Sequence, residues 1–120
     1  CVGKRKRVLM EYLIDWLLYS GHDLILEKRN VPCIYIKNEL LTYIDTFGTH
    51  EISLLNKTYT KKDNKTNMVI DFTKKECKIA LVDEELLTFD IDCDLKILKN
   101  KIYIKYILDT EKRLVINVKE

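Results

Sequence analysis

The sequence predicts an α+β domain: one N-terminal helix packed on a mostly antiparallel meander sheet, a sheet able to curl into a small barrel. Three observations carry this. Residues 7–20 show apolar positions at helical spacing, residues 87–97 alternate apolar and polar without a fault, and short apolar runs separated by polar turns fill the remainder. The chain has 120 residues, the size of one domain, and 47% apolar with 33% charged residues is an ordinary globular mixture. Residues 1–6 read as a basic tail and residues 7–120 as a single domain.

The helix is read from Leu9, Leu13, Trp16 and Leu17, spaced i, i+4, i+7, i+8, with Met10, Ile14 and Leu18 widening the stripe. Arg7, Glu11 and Asp15 share the opposite face, and Gly21 suits a left-handed C-terminal cap. A basic cluster followed by apolar residues imitates a secretory signal, but Glu11 and Asp15 interrupt the run and Ser20-Gly21-His22-Asp23 is a poor cleavage site. The run is also too short for a membrane span, which needs about 20 residues.

The clearest strand is Leu87–Ile97. Leu87, Phe89, Ile91, Cys93, Leu95 and Ile97 lie on one face; Thr88, Asp90, Asp92, Asp94 and Lys96 lie on the other. Lys99-Asn100 is a two-residue hairpin turn into Ile102–Leu108. That turn sets Asp94 opposite Lys105 and Lys96 opposite Tyr103. Leu114–Val118 closes the meander. Upstream, residues 51–59 and 68–72 flank the polar tip Thr60–Asn67, and residues 77–82, 34–36, 40–44 and 24–26 add short strands, seven or eight in all.

Four cysteines, Cys1, Cys33, Cys77 and Cys93, match no compact disulfide scaffold, so they read as free thiols in a reducing, cytoplasmic setting. Cys77 and Cys93 fall at inward strand positions. Neither His22 nor His50 sits in a nucleophile or metal motif, and both read as exposed loop histidines. Three separated glycines cannot build a phosphate loop. These absences predict a protein that is not an enzyme and uses neither cofactor nor metal.

Net charge is only +2, but it is unevenly spread. Lys4, Arg5, Lys6 and Arg7, with Lys57, Lys61, Lys62 and Lys65 on a lysine-rich hairpin, suit backbone contacts to RNA without DNA sequence readout. Asp90, Asp92 and Asp94 project from one strand face about 6.6 Å apart, a surface for a basic protein partner. They lack the loop, glycine and terminal Glu of an EF-hand. The expectation is a non-catalytic factor docked on a ribonucleoprotein of ribosome type. The alternative is a small interaction or inhibitor module that uses the acidic face. A curled sheet enclosing a small-ligand cavity is a third reading.

Overall fold

The computed structural model describes residues 10–81 and 86–119. They form eleven strands: β1 (Met10–Ser20), β2 (Asp23–Ile36), β3 (Leu40–Asp45), β4 (Gly48–Ser53), β5 (Thr58–Lys62), β6 (Thr66–Asp71), β7 (Glu76–Leu81), β8 (Leu86–Asp90), β9 (Cys93–Leu98), β10 (Lys101–Ile107) and β11 (Glu111–Lys119). Among the described residues there is no helix, and so none long and apolar enough to cross a membrane. The fold is all-β, not α+β. The basic cluster Lys4–Arg7 and Cys1 lie outside the described residues.

The correction is sharpest at residues 10–20, where the expected helix is strand β1. It is a central strand, paired with β2 on one side and β11 on the other. β1 carries apolar residues on both of its faces, and such a near-continuous run cannot be told from a buried helix by periodicity alone. Ile14, Trp16 and Leu18 turn into the core, while Leu13 is 43% exposed. Gly21 does adopt a left-handed φ of 62°, but as the first residue of the two-residue turn between β1 and β2.

The single sheet has the order β8-β7-β6-β5-β4-β3-β2-β1-β11-β10-β9. Laid flat, eleven strands would span about 48 Å between edge strands. Yet β8 and β9 are consecutive, separated only by Ile91 and Asp92. The sheet therefore has to curl into a half-barrel that brings its edges together at this joint. The Ile91 N–H donates to the Lys75 carbonyl in the β6–β7 turn (3.0 Å), and the Ile107 N–H of β10 donates to the Asp92 carbonyl (3.0 Å). The lysine Nζ of Lys75 adds a bond to the Cys93 carbonyl at 2.7 Å.

The faultless alternation of residues 87–97 is thus one stretch of chain shared between two edges. Its second half behaves as expected: β9 pairs with β10 with Asp94 opposite Lys105 and Lys96 opposite Tyr103. Its first half pairs only with β7, and Leu87 and Phe89 remain 55% and 37% exposed. The other short runs merge or divide. Residues 24–26 and 34–36 belong to one long strand, β2, and much of the polar stretch 60–67 is itself strand, leaving only residues 63–65 as a turn.

The concave side holds the core: Ile14, Trp16, Leu41, Tyr43, Ile52, Tyr59, Ile70, Ile102, Ile104, Leu114 and Ile116 are all buried. Cys33, Cys77 and Cys93 are free and buried there. Burial pushes the Cys33 thiol up to about 11, which makes it inert near neutral pH. The register of β1 against β2 shifts between Ile14 and Trp16 because β2 carries one extra residue there, so Arg29 and Asn30 bulge opposite Asp15. Its Oδ1 accepts the Asn30 N–H (2.9 Å) and pairs with Lys119 Nζ (3.1 Å), while Asn30 takes a left-handed φ of 57°. The Asn30 bond, with help from Lys119 and Arg29, holds the Asp15 carboxyl below the usual range despite its desolvation.

Candidate functional site

The β3–β4 hairpin places three polar-aromatic residues on the concave face. Tyr43 and Asp45 alternate along β3, and the turn at Thr46-Phe47 sets Tyr43 opposite His50. The rings of Tyr43 and His50 stack at 4.5 Å with 7° between planes. On the other side of His50, Tyr59 of β5 lies nearly parallel at 6.0 Å. Trp16 continues the row, 6.5 Å from Tyr43.

His50 is 5% exposed and both its ring nitrogens are committed. Nε2 lies 3.0 Å from Asp45 Oδ1 and Nδ1 lies 2.8 Å from the Tyr59 hydroxyl. A carboxylate oxygen can only accept, so Nε2 carries the proton. Burial lowers the His50 pKa against the pull of Asp45, which leaves the ring neutral; Nδ1 is then an acceptor and Tyr59 donates to it. Burial also raises the Tyr43 and Tyr59 hydroxyls well above the ordinary phenol value, with neighbouring Asp45 and Tyr106 adding to both, so they stay protonated.

This geometry sets a pH dependence. An unfolded histidine titrates near about 6.5, and the folded His50 lower. Stability from the neutral ring is complete above the unfolded value and is lost as pH falls through it toward the folded one. Facing groups are Asp45, Lys61, Tyr43 and Tyr59, and none of the phenols changes charge in that window. The urea midpoint is expected to drop between pH 7 and pH 5, and the drop to shrink in His50→Gln. An equal drop in both proteins would assign it elsewhere.

The row of rings walls a cavity of about 120 Å³ whose mouth lies beside Phe47 and Lys61. Leu18, Leu26, Tyr106 and Leu114 complete its apolar walls. The Lys61 ammonium sits 5.6 Å over the Phe47 ring. Asp45 Oδ1 is used twice, by His50 and by the Phe47 N–H at 2.7 Å. Among the described residues its buried Oδ2 has no hydrogen-bond partner, nor has the buried Nε1 of Trp16, whose side chain lines the same cavity.

Of the residues singled out from sequence, Lys4, Arg5, Lys6 and Arg7 lie outside the described residues and the others sit on several elements. Lys57 precedes β5 and Lys62 ends it, about 16 Å away along the strand. Lys65 is in the following turn, and Lys61 points to the cavity mouth. Asp90 ends the edge strand β8, Asp92 lies in the joint, and Asp94 belongs to β9 at the opposite edge; all three are exposed. No group of three or more His, Cys, Asp or Glu side chains among the described residues could hold a metal ion. His22 is an exposed turn residue as expected, whereas His50 is not.

The missed residues left a faint signal. Tyr43 and Asp45 alternate before Phe47-Gly48, and His50 follows at the position a two-residue turn sets opposite Tyr43. Comparison with protein families, with curated proteins and with solved structures finds no match to this chain.

Proposed function

We propose that this chain is a small-molecule-binding protein whose ligand enters the curled sheet past Phe47 and Lys61. One observation carries the reading: two buried polar atoms that have no partner among the described residues, Trp16 Nε1 and Asp45 Oδ2, belong to side chains that line the same aromatic cavity. A buried donor or acceptor left unmade costs about 1–3 kcal/mol. Two such groups around one cavity mark where a ligand's own acceptor and donor belong. The volume matches roughly four water molecules or one small ring. Binding is favoured over proton-transfer chemistry because both nitrogens of His50 are occupied within the protein. The ribonucleoprotein reading rests instead on lysines acting together, and the fold places Lys57 and Lys62 at opposite ends of β5.

Trp16 is the only tryptophan, so its indole N–H is a single reporter. Screening neutral, cationic and anionic compounds of single-ring size or smaller, at least one class is expected to shift that resonance and raise the melting temperature. At ten times its Kd a ligand adds about 1.4 kcal/mol. A screen in which nothing moves the indole resonance overturns the reading.

A further inference from the structure

Resting on the cavity reading just given, we propose that the ligand is a small organic ammonium carrying an acceptor oxygen, its nitrogen bound by Asp45 and its oxygen by Trp16. The chemistry of the cavity is directional. Asp45 has a side chain only 8% exposed. Its sole ion-pair contact among the described residues is His50, which burial keeps neutral. Both hydrogen bonds it accepts fall on Oδ1. Oδ2, on a side chain that lines the cavity, is left buried without a hydrogen-bond partner among the described residues, and a carboxylate oxygen can only accept.

A carboxylate withdrawn from water is costly unless a cation or several donors meet it. Lys61 does not do so: its ammonium rests over the Phe47 ring at the mouth. The walls select further. Tyr43, Tyr59, Tyr106 and Phe47 offer aromatic surface, and aromatic surface around a carboxylate is how proteins hold small ammonium groups. An anionic ligand would meet Asp45 as a like charge and leave Oδ2 unpaired. A neutral donor would satisfy the oxygen but not its charge. On the other wall Trp16 is 3% exposed, and an indole N–H can only donate. The ligand must therefore carry an acceptor as well, a hydroxyl or carbonyl oxygen.

The test uses four probes of one shape on the intact chain, followed by ligand-observed NMR and calorimetry: isobutylamine, isobutanol, isobutyrate and 1-amino-2-methylpropan-2-ol. Isobutylamine is expected to bind at least about tenfold more tightly than isobutanol, the usual gain of a charge-assisted bond. Isobutyrate should not bind. The amino alcohol should bind most tightly of the four. Asp45→Asn, which keeps an acceptor for the Phe47 N–H, should remove the preference for amine over alcohol. Trp16→Phe should remove only the amino alcohol's advantage over isobutylamine.

Equal affinity for isobutylamine and isobutanol overturns the ammonium proposal while leaving the cavity as a binding site. Tighter binding of isobutyrate also overturns it. If none of the four binds and the wider screen is silent as well, the cavity reading itself fails. Should Asp45→Asn not fold, the native chain's ranking of amine, alcohol and acid decides alone.

Discussion

Gly48→Ala is expected to destabilise the protein by about 3 kcal/mol or more, combining backbone strain with overpacking. Gly48 opens β4 at a φ of 128°, where side chains are rarely tolerated. A Cβ there would lie 2.0 Å from the Lys62 carbonyl oxygen and 2.9 Å from its carbon. Those are backbone atoms of the paired strand, so relief requires parting β4 from β5. That movement would carry His50 away from Tyr59 and widen the cavity mouth at Lys61. Gly21→Ala is the matched control. Its φ of 62° carries a left-handed penalty of about 1 kcal/mol, but nothing lies within 4 Å of an added Cβ. Urea denaturation of both variants separates the two costs. Similar losses would mean the β4–β5 edge gives way freely.

Trp16→Ala is expected to cost about 3–5 kcal/mol, a large share of the roughly 5–15 kcal/mol that holds a domain of this kind together. Trp16 is 3% exposed on the central strand β1, between the walls contributed by β11 and β3. Its indole hydrogen bond adds nothing to this figure, because the N–H has no partner among the described residues. Trp16→Phe should therefore lose far less stability than Trp16→Ala, since it keeps most of the packed surface. Thermal unfolding followed by far-ultraviolet circular dichroism reads both. A Phe variant as unstable as the Ala variant would show that the N–H is in fact bonded.

The C-terminal meander was readable because one face of each strand is buried and the turn at Lys99-Asn100 fixes the register. Asp94 and Lys105 stand opposite one another as that turn requires. The N-terminal strand reads as a helix because β1 carries apolar residues on its outward face as well as its inward one, Leu13 being 43% exposed, which erases the two-residue alternation and leaves spacing that also fits a helix. Antiparallel pairing could be inferred strand by strand, but not the curl. No local pattern says that Ile91 and Asp92 join the two edges of the sheet. The cavity depends on that curl, so Tyr106 of β10 and Tyr59 of β5 cannot be seen as neighbours from their positions in the chain. The lysine and aspartate clusters, by contrast, are visible as composition: Asp90, Asp92 and Asp94 stay exposed along the β8–β9 joint, and Lys4–Arg7 lie outside the described residues.

The pairing of β1 with β11 has a consequence in time. β1 is synthesised before the other ten described strands, and β2 to β8 can add to one side of it in sequence. Its other side stays an open row of backbone donors and acceptors until residues 111–119 have been made. A nascent chain thus waits with a hydrophobic central strand as its temporary edge, the kind of surface that invites mispairing. Final assembly depends on contacts between distant parts of the sequence, which places this protein among the slow folders. Truncation before β11 would leave more than a shortened sheet: it would keep the nascent chain in its most aggregation-prone form.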